Sequence, residues 1–337
     1  MKFDEKKKEA ILLYILEKIE RGDRNIVSAA RESFEINEST VYQYLKELVE
    51  KNILKKVSRG KYELVQQEFV YELQRSKGEL ESDTDALEHD LKPLLQGYAR
   101  NVIEIWEYTF SEMMNNVIEH SAAEHVKLTI RQTYLKTSVR IEDDGVGIFN
   151  KIQKYFGFAS TEEAICELFK GKLTTDSQNH SGEGIFFSSK IMDDFYILSS
   201  GKVFTNNILD ASELKDAAMD ATGTCVVMDL SNFTHKTTKE VFDLYSNNEG
   251  SFLTTKIPMK NIFDTTPVSR SQAKRVCNRL EKFTEVIIDF QGIDWMGQGF
   301  AHQVFSVFAK AHPEIKLTPI NMNEDVTKMY IHVTEEH

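Results

Sequence analysis

Three cysteines in 337 residues, Cys166, Cys225 and Cys277, with no Cys-x-x-Cys pair among them, leave neither a disulfide framework nor a zinc ribbon to organise this chain. They read as small buried side chains of a reducing compartment. Long apolar runs are missing as well, and Met1-Lys2-Phe3-Asp4-Glu5-Lys6-Lys7-Lys8 lacks the apolar core of a signal peptide. No membrane partner and a cytoplasmic location are therefore expected. Basic excess is the third absence: a net charge of -12 argues against nucleic-acid binding by the molecule as a whole. The charge is uneven, because residues 1–64 carry 14 Lys/Arg against 12 Asp/Glu, a surplus of +2 that leaves -14 for the remainder. Any DNA contact belongs to the N-terminal part. What is present, 41% hydrophobic and 28% charged residues, matches a folded chain of this length with two or three domains and real cores.

The N-terminal part has the rhythm of three helices and a hairpin. Ile11, Leu12, Ile15, Leu16 and Ile19 predict an amphipathic helix over 5–21, closed by Gly22-Asp23. A second helix is expected near Ile26 to Phe34, and a third from about Glu38 to Lys51 around Val41, Leu45 and Leu48. Ile53 to Val57 and Tyr62 to Val65 then read as strands around the basic tip Ser58-Arg59-Gly60-Lys61. Helices followed by such a hairpin predict a winged helix over 1–65. Ser39-Thr40-Val41-Tyr42-Gln43-Tyr44-Leu45-Lys46-Glu47-Leu48 resembles the recognition helix of winged helix-turn-helix regulators. The resemblance implies that Ser39, Thr40, Tyr42, Gln43 and Lys46 meet base edges or phosphates, while Lys55, Lys56, Arg59 and Lys61 on the wing meet the backbone. The alternative is a winged helix that docks protein.

Residues 66–84 read as a polar connector. Helical spacing at Leu87, Leu91, Leu94 and Leu95, broken at Pro93, leads towards Val102, Ile103, Ile105 and Trp106; a dimerising helix, and hence a homodimer, is the alternative. The segment Ser111-Glu112-Met113-Met114-Asn115-Asn116-Val117-Ile118-Glu119-His120 follows. On a helix Glu112 and Asn116 leave one face a turn apart, where an amide oxygen can hold a hard cation and a carboxylate can activate a nucleophile. Val126, Leu128 and Ile130, then Val139 and Ile141, alternate as two antiparallel strands that run into Glu142-Asp143-Asp144-Gly145-Val146-Gly147. Asp143 is placed to accept from an exocyclic amine while Gly145 and Gly147 admit close backbone approach. The ligand series of an EF-hand is absent, and Gly171-Lys172-Leu173-Thr174 lacks the spacing of a phosphate-binding Walker loop. Residues 151–181 have the length and polarity of a lid. Ser181-Gly182-Glu183-Gly184 then opens a helix whose free amides suit an anion, and Thr222-Gly223-Thr224 starts another strand.

In this order the pieces resemble the gyrase, histidine-kinase and MutL (GHKL, Bergerat-fold) ATPase superfamily, and the helix box is similar to that of anti-sigma-factor serine kinases. The resemblance implies ATP and Mg2+ as cofactors in a domain over 85–235. It implies Glu112 as general base, Asn116 as magnesium ligand, Asp143 as adenine contact, Gly145, Gly147, Gly182 and Gly184 as pocket-shaping residues, and Thr224 near the adenine. Asn115, Glu119 and His120 receive no role. No phospho-acceptor histidine helix precedes the box, and His89 reads as solvent-facing.

After a linker at 236–251, the alternation over 252–337 predicts a small α/β domain: helix Val268 to Phe283, strand Val286 to Phe290, helix Gly299 to Ala311, strand Ile315 to Leu317. Ser269-Arg270-Ser271-Gln272 fits a capping box. Val286 to Phe308 resembles the STAS domains of anti-sigma-factor antagonists. Phosphorylated members carry a serine where this chain has Met296-Gly297-Gln298-Gly299, so the domain is expected to dock a protein partner or sense the ATP domain rather than accept phosphate. The expected fold class is multidomain α/β: winged helix, Bergerat-fold sandwich, STAS-like domain. The expected function is an ATP-binding regulatory protein; the alternatives are a serine/threonine kinase acting on a separate partner and a non-enzymatic ATP-sensing transcription regulator.

Overall fold

Apolar residues three and four apart give the first unit its core. A computed structural model describes residues 5–173, 182–207, 223–247, 249–263 and 266–335. In it α1 (Glu5–Glu20) buries Ile11, Ile15, Leu16 and Ile19, α2 (Ile26–Phe34) buries Ile26 and Ala30, and α3 (Glu38–Glu50) buries Val41, Tyr44, Leu45 and Leu48. The strands β1 (Leu54–Ser58) and β2 (Lys61–Leu64) pair antiparallel, with a bulge between Lys56 and Ser58, and turn through Gly60 at φ +75°. By contacts this unit runs to Val70 and also takes in Thr129–Val139 and Asp229–Thr234. Leu135 is buried in its core and Phe233 packs on the same cluster. Neither residue is marked for that place by sequence pattern, because each sits in a turn far along the chain.

The expected connector contains a strand, β3 (Gln67–Gln74), at the edge of a six-stranded sheet ordered β3-β4-β5-β8-β6-β7. Phe69, Tyr71 and Leu73 alternate with the exposed Glu68, Val70 and Glu72 as on a half-covered strand, but none of them is fully buried and the flanking residues are polar, so the segment resembles a connector in sequence. A short helix α4 (Asp83–Ala86), capped by the Ser82 hydroxyl, leads through 3-10 turns at Pro93 to α5 (Arg100–Asn115). Val102, Ile105, Trp106, Thr109, Phe110 and Met113 form one buried stripe along α5. The helix widens at its end into a π-helical turn, Asn116–Ser121. Then follow β4 (His125–Gln132) and β5 (Lys136–Asp143).

The stretch expected to be a lid holds two helices, α6 (Ile148–Phe156) and α7 (Thr161–Lys170). Every residue of α7 from Ala164 to Lys170 is buried. Two of its charges, Glu167 and Lys170, are paired inside the protein. The Lys170 ammonium donates to Glu167 Oε1 at 2.6 Å and to the carbonyls of Arg275 and Asn278 at 3.1 and 2.6 Å. Residues 174–181 of that stretch lie outside the described residues. Next come α8 (Gly184–Ile191), β6 (Asp194–Ser199), β7 (Lys202–Thr205) and β8 (Thr224–Ser231). The expected linker carries a helix, α9 (Thr238–Tyr245), opened by a capping box between Thr237 and Glu240.

The C-terminal part is a three-stranded parallel sheet ordered β11-β10-β9, from β9 (Thr254–Pro258), β10 (Glu285–Asp289) and β11 (Lys316–Ile320). Helix α10 (Arg270–Cys277) has the capping box expected from Ser269 and Gln272. It stops short of Phe283 because the chain turns at Arg279, whose φ is +59°. α11 (Gln298–His302) continues through a π-helical turn to Ala311, and α12 (Glu324–Glu335) closes the described chain. Among the described residues no helix is long and apolar enough to cross a membrane.

Candidate functional site

The end of α5, the end of β5 and the start of α8 enclose one cavity of roughly 290 Å³. Glu112, Asn116, Asp143, Gly147, Gly182, Gly184 and Thr224, scattered over more than a hundred positions of sequence, all line it. Ile148, Ile152, Leu168, Ile197 and Val226 supply an apolar wall. Such a mixture, apolar surface with a few converging polar groups, is what a small-molecule site requires.

Asp143 ends β5 at only 9% exposure. Burial pushes its carboxyl above the usual range, opposed by hydrogen bonds from Gly145 and Thr224. The Gly145 amide donates to Asp143 Oδ1 at 2.8 Å, and the Ile148 amide donates to Thr224 Oγ1 at 3.0 Å. This corner is built by glycines that could not be replaced. A Cβ on Gly223 would fall 2.1 Å from the Asp143 carbonyl oxygen, and one on Gly145 would fall 2.2 Å from that of Ser121. Gly147, at φ +77°, faces Ser199 Oγ at 2.8 Å from where its Cβ would be. Gly145 thus supports the cavity through Asp143 and Ser121. Gly223 has no role assigned from sequence, where it figures only as part of a strand start.

At the opposite end the Glu112 carboxylate lies directly against the first residue of α8: a Cβ on Gly184 would sit 1.9 Å from Glu112 Oε2. The first amides of a helix are unpaired within it and carry its positive end, so this is an anion-attracting place. Tyr108, one turn before Glu112, has its hydroxyl pushed well upward by burial and by the neighbouring charges of Glu112 and Glu183. Lys151, also without a role assigned from sequence, lines the cavity and donates to the His120 carbonyl at 2.8 Å. Gly182, at φ +73°, is held by the Leu173 amide donating to its carbonyl at 3.1 Å. Among the described residues no group of three or more His, Cys, Asp or Glu side chains could hold a metal ion. Asn116 can still serve Mg2+, a cation that usually keeps waters and takes oxygens from a bound phosphate chain.

Residues 103–233 match the family model for "Histidine kinase-, DNA gyrase B-, and HSP90-like ATPase". This part of the chain is a GHKL-type ATPase domain. Domains of this type bind ATP, generally with Mg2+. The ATPase domain is followed by a match, over residues 272–327, to a STAS-like domain of unknown function (DUF4325). Among curated proteins none matches the chain. The Asp143 corner and the Glu112–Gly184 contact both fall inside the ATPase domain's matched span, with Asn116 between them in sequence.

The residues expected to touch DNA lie elsewhere, on α3 and the β1–β2 hairpin. Ser39, Tyr42, Gln43 and Lys46 are exposed on α3 and Thr40 is half-buried. Tyr42 also lines a separate cavity with Arg24, Arg31 and Tyr62. The basic tip is partly neutralised by its own neighbours. Lys55 and Lys61 share Glu63 at 3.2 and 3.6 Å, and Lys46 pairs with Glu50 at 3.5 Å. Lys56 and Arg59 are exposed and form no ion pair among the described residues.

Proposed function

We propose that the chain is a regulatory protein that binds Mg-ATP in the cavity between Asp143 and the start of α8, and couples that binding, or hydrolysis, to contacts made by a winged-helix module and by the STAS-like domain. The observation that carries this reading is the convergence of Glu112, Asn116 and Asp143 on one cavity that ends at a helix N-terminus. In it Asp143 accepts from the adenine amine, the Ile148–Ile152 side holds the base, and the α8 amides meet the phosphates. Mg2+ would be held by the Asn116 oxygen and would neutralise phosphate charge. Glu112 stands where a general base acts on a water or a hydroxyl near the terminal phosphate. Equilibrium binding of ATP with and without Mg2+ tests the assignment, and turnover with and without DNA tests the coupling. Absence of Mg-dependent ATP binding would remove the assignment.

Three helices followed by a two-stranded hairpin support the winged-helix reading, and Lys56 and Arg59, the two basic groups of the hairpin that form no ion pair among the described residues, define its prediction. If the module binds DNA, Lys56→Glu with Arg59→Glu weakens it uniformly across sequences and lowers the salt slope by about 0.9 for each phosphate that is no longer neutralised. A DNA footprint that survives both changes would move the contact away from this wing. The internal pairing of Lys46, Lys55 and Lys61 with glutamates favours the second reading, in which the module docks protein. For phosphotransfer, α11 starts at Gly297-Gln298 without a hydroxyl, which places any serine acceptor outside that helix start.

A further inference from the structure

A second cavity, of roughly 280 Å³, lies at the carboxyl ends of β9 and β10, the place where open parallel sheets receive ligands. The last residues of those strands, Pro258 and Asp289, form one side of it, and Ser189 and Lys190 at the end of α8 form another with Asn206. Helix α8 therefore begins at the nucleotide cavity with Gly184 and finishes at this one with Lys190.

The charges around the second cavity are unequally satisfied. Lys256 Nζ is 2.8 Å from Asp289 Oδ2, and the Asp289 carboxylate also accepts from Asn321 Nδ2 at 2.8 Å and the Gln291 amide at 3.0 Å. Asp193 lies 2.6 Å from Lys236. Lys190 differs. Its ammonium donates to Asn206 Oδ1 at 2.9 Å and stands 5.1 Å from the centre of the Phe186 ring, with no carboxylate at ion-pair distance among the described residues. Burial, reinforced by Lys256 and opposed by Asp289, pushes the Lys190 ammonium down to about 7. The loop bearing Asn206 is itself fixed, because Asn261 Nδ2 donates to the carbonyls of Thr205 and Asn207 at 2.8 and 3.0 Å. A half-buried cation without a carboxylate partner, beside a polar space, is completed by a small anion.

We infer that this cavity, at the junction of the ATPase domain and the STAS-like domain, is a binding site for a small tetrahedral oxyanion, phosphate or the phosphoryl group of a small molecule, held by Lys190 with Lys256. Each ammonium has three donors, so Lys256 can keep Asp289 and still reach a ligand, as Lys190 can keep Asn206. The volume suits an oxyanion with a few waters or a compact phosphorylated molecule. The groups facing Lys190 are Lys256 and Asp289 on the sheet, Asp193 just after α8 and Tyr245 on α9, and no histidine lines the cavity among the described residues.

The test is calorimetric titration of the full chain with sulfate, whose charge is constant from pH 6 to pH 8, and with inorganic phosphate. Both anions are expected to bind, and sulfate about tenfold more weakly at pH 8 than at pH 6, because the protonated fraction of Lys190 falls by about that factor. Lys190→Met is expected to fold, since it removes a half-buried cation that has no carboxylate at ion-pair distance among the described residues, and to lose both anions while keeping ATP binding. Lys190→Gln, which keeps a hydrogen bond available to Asn206, carries the same expectation if the Met variant does not fold. No sulfate binding by the natural chain, or equal binding by the substituted chains, would each overturn the site. An anion held instead at the start of α8 would survive both substitutions, so the outcome is independent of the nucleotide assignment.

Discussion

Glu112→Gln is expected to keep ATP binding and to lose turnover by about 100-fold or more, the usual scale for removing a positioned general base. The exchange is close to isosteric, so the contact with Gly184 that leaves no room for a Cβ is preserved and the cavity keeps its shape. What changes is charge and basicity. The carboxylate stands against the positive end of α8, where the phosphates of ATP also belong, so its charge opposes theirs. The Glu112→Gln chain would therefore bind ATP as tightly as the natural chain or more tightly. A split of this kind, an unchanged or lower Kd with a collapsed kcat, is the mark of a group used in the chemical step rather than in binding. A tenfold rise in Kd would instead make Glu112 a binding group, and a retained kcat would leave ATP as a clamp whose hydrolysis does not pass through this residue. Phosphate release and ATP binding measured on the same preparation decide between them.

How much of this site can be read from residues alone depends on whether the informative contact is local. Glu112 and Asn116 share a helix face, and Asp143 follows an alternating strand, so periodicity places all three. Gly145, Gly147, Gly182 and Gly184 are conspicuous because glycine is rare beside such patterns. Gly223 is equally indispensable, but its reason is a 2.1 Å approach to a carbonyl eighty positions earlier, and no pattern around it records that contact. The same holds for Lys151, which in sequence is only the start of a polar stretch until the fold brings it to the cavity, and for Tyr108, whose burial beside Glu112 no local pattern records. α7 differs from an exposed polar stretch for another reason: Glu167 and Lys170 pair locally, three positions apart on the helix, but that both are buried is a tertiary fact. β3 escapes because the alternation of Phe69, Tyr71 and Leu73 is short, only half-buried and set among polar residues, and Leu135 because burial of a turn residue is a tertiary fact. The apolar run expected as a strand over Val286 to Phe290 and the Ser269–Gln272 cap are local, and both appear in the structure, the strand displaced by one residue to Glu285–Asp289.

Asp143→Asn is expected to weaken ATP binding by about 10- to 150-fold, the equivalent of the 1.5–3 kcal/mol that a hydrogen bond to a charged group contributes. A carboxylate only accepts, and here it accepts from the Gly145 amide and from Thr224 while lining the cavity. An amide in its place turns one acceptor into a donor. Whichever way the Asn side chain is turned, a donor then faces either the protein's own donors or the adenine amine. Misfolding predicts the same loss of binding, and stability separates the two. Burial raises the folded-state pKa of Asp143 above its ordinary value of 3.8, so the folded chain holds that proton more tightly than the unfolded chain. Stability is consequently lost as pH rises from about 3.8 through the raised value, and the loss persists at neutral pH. The charge-free Asn variant escapes it. It should be at least as stable as the natural chain at pH 7, with the difference vanishing as pH falls towards 3.8. Weak ATP binding by a variant whose thermal unfolding is unchanged or raised would mark Asp143 as a group held at a cost in stability for the sake of the nucleotide; a variant that binds ATP normally would remove it from the site.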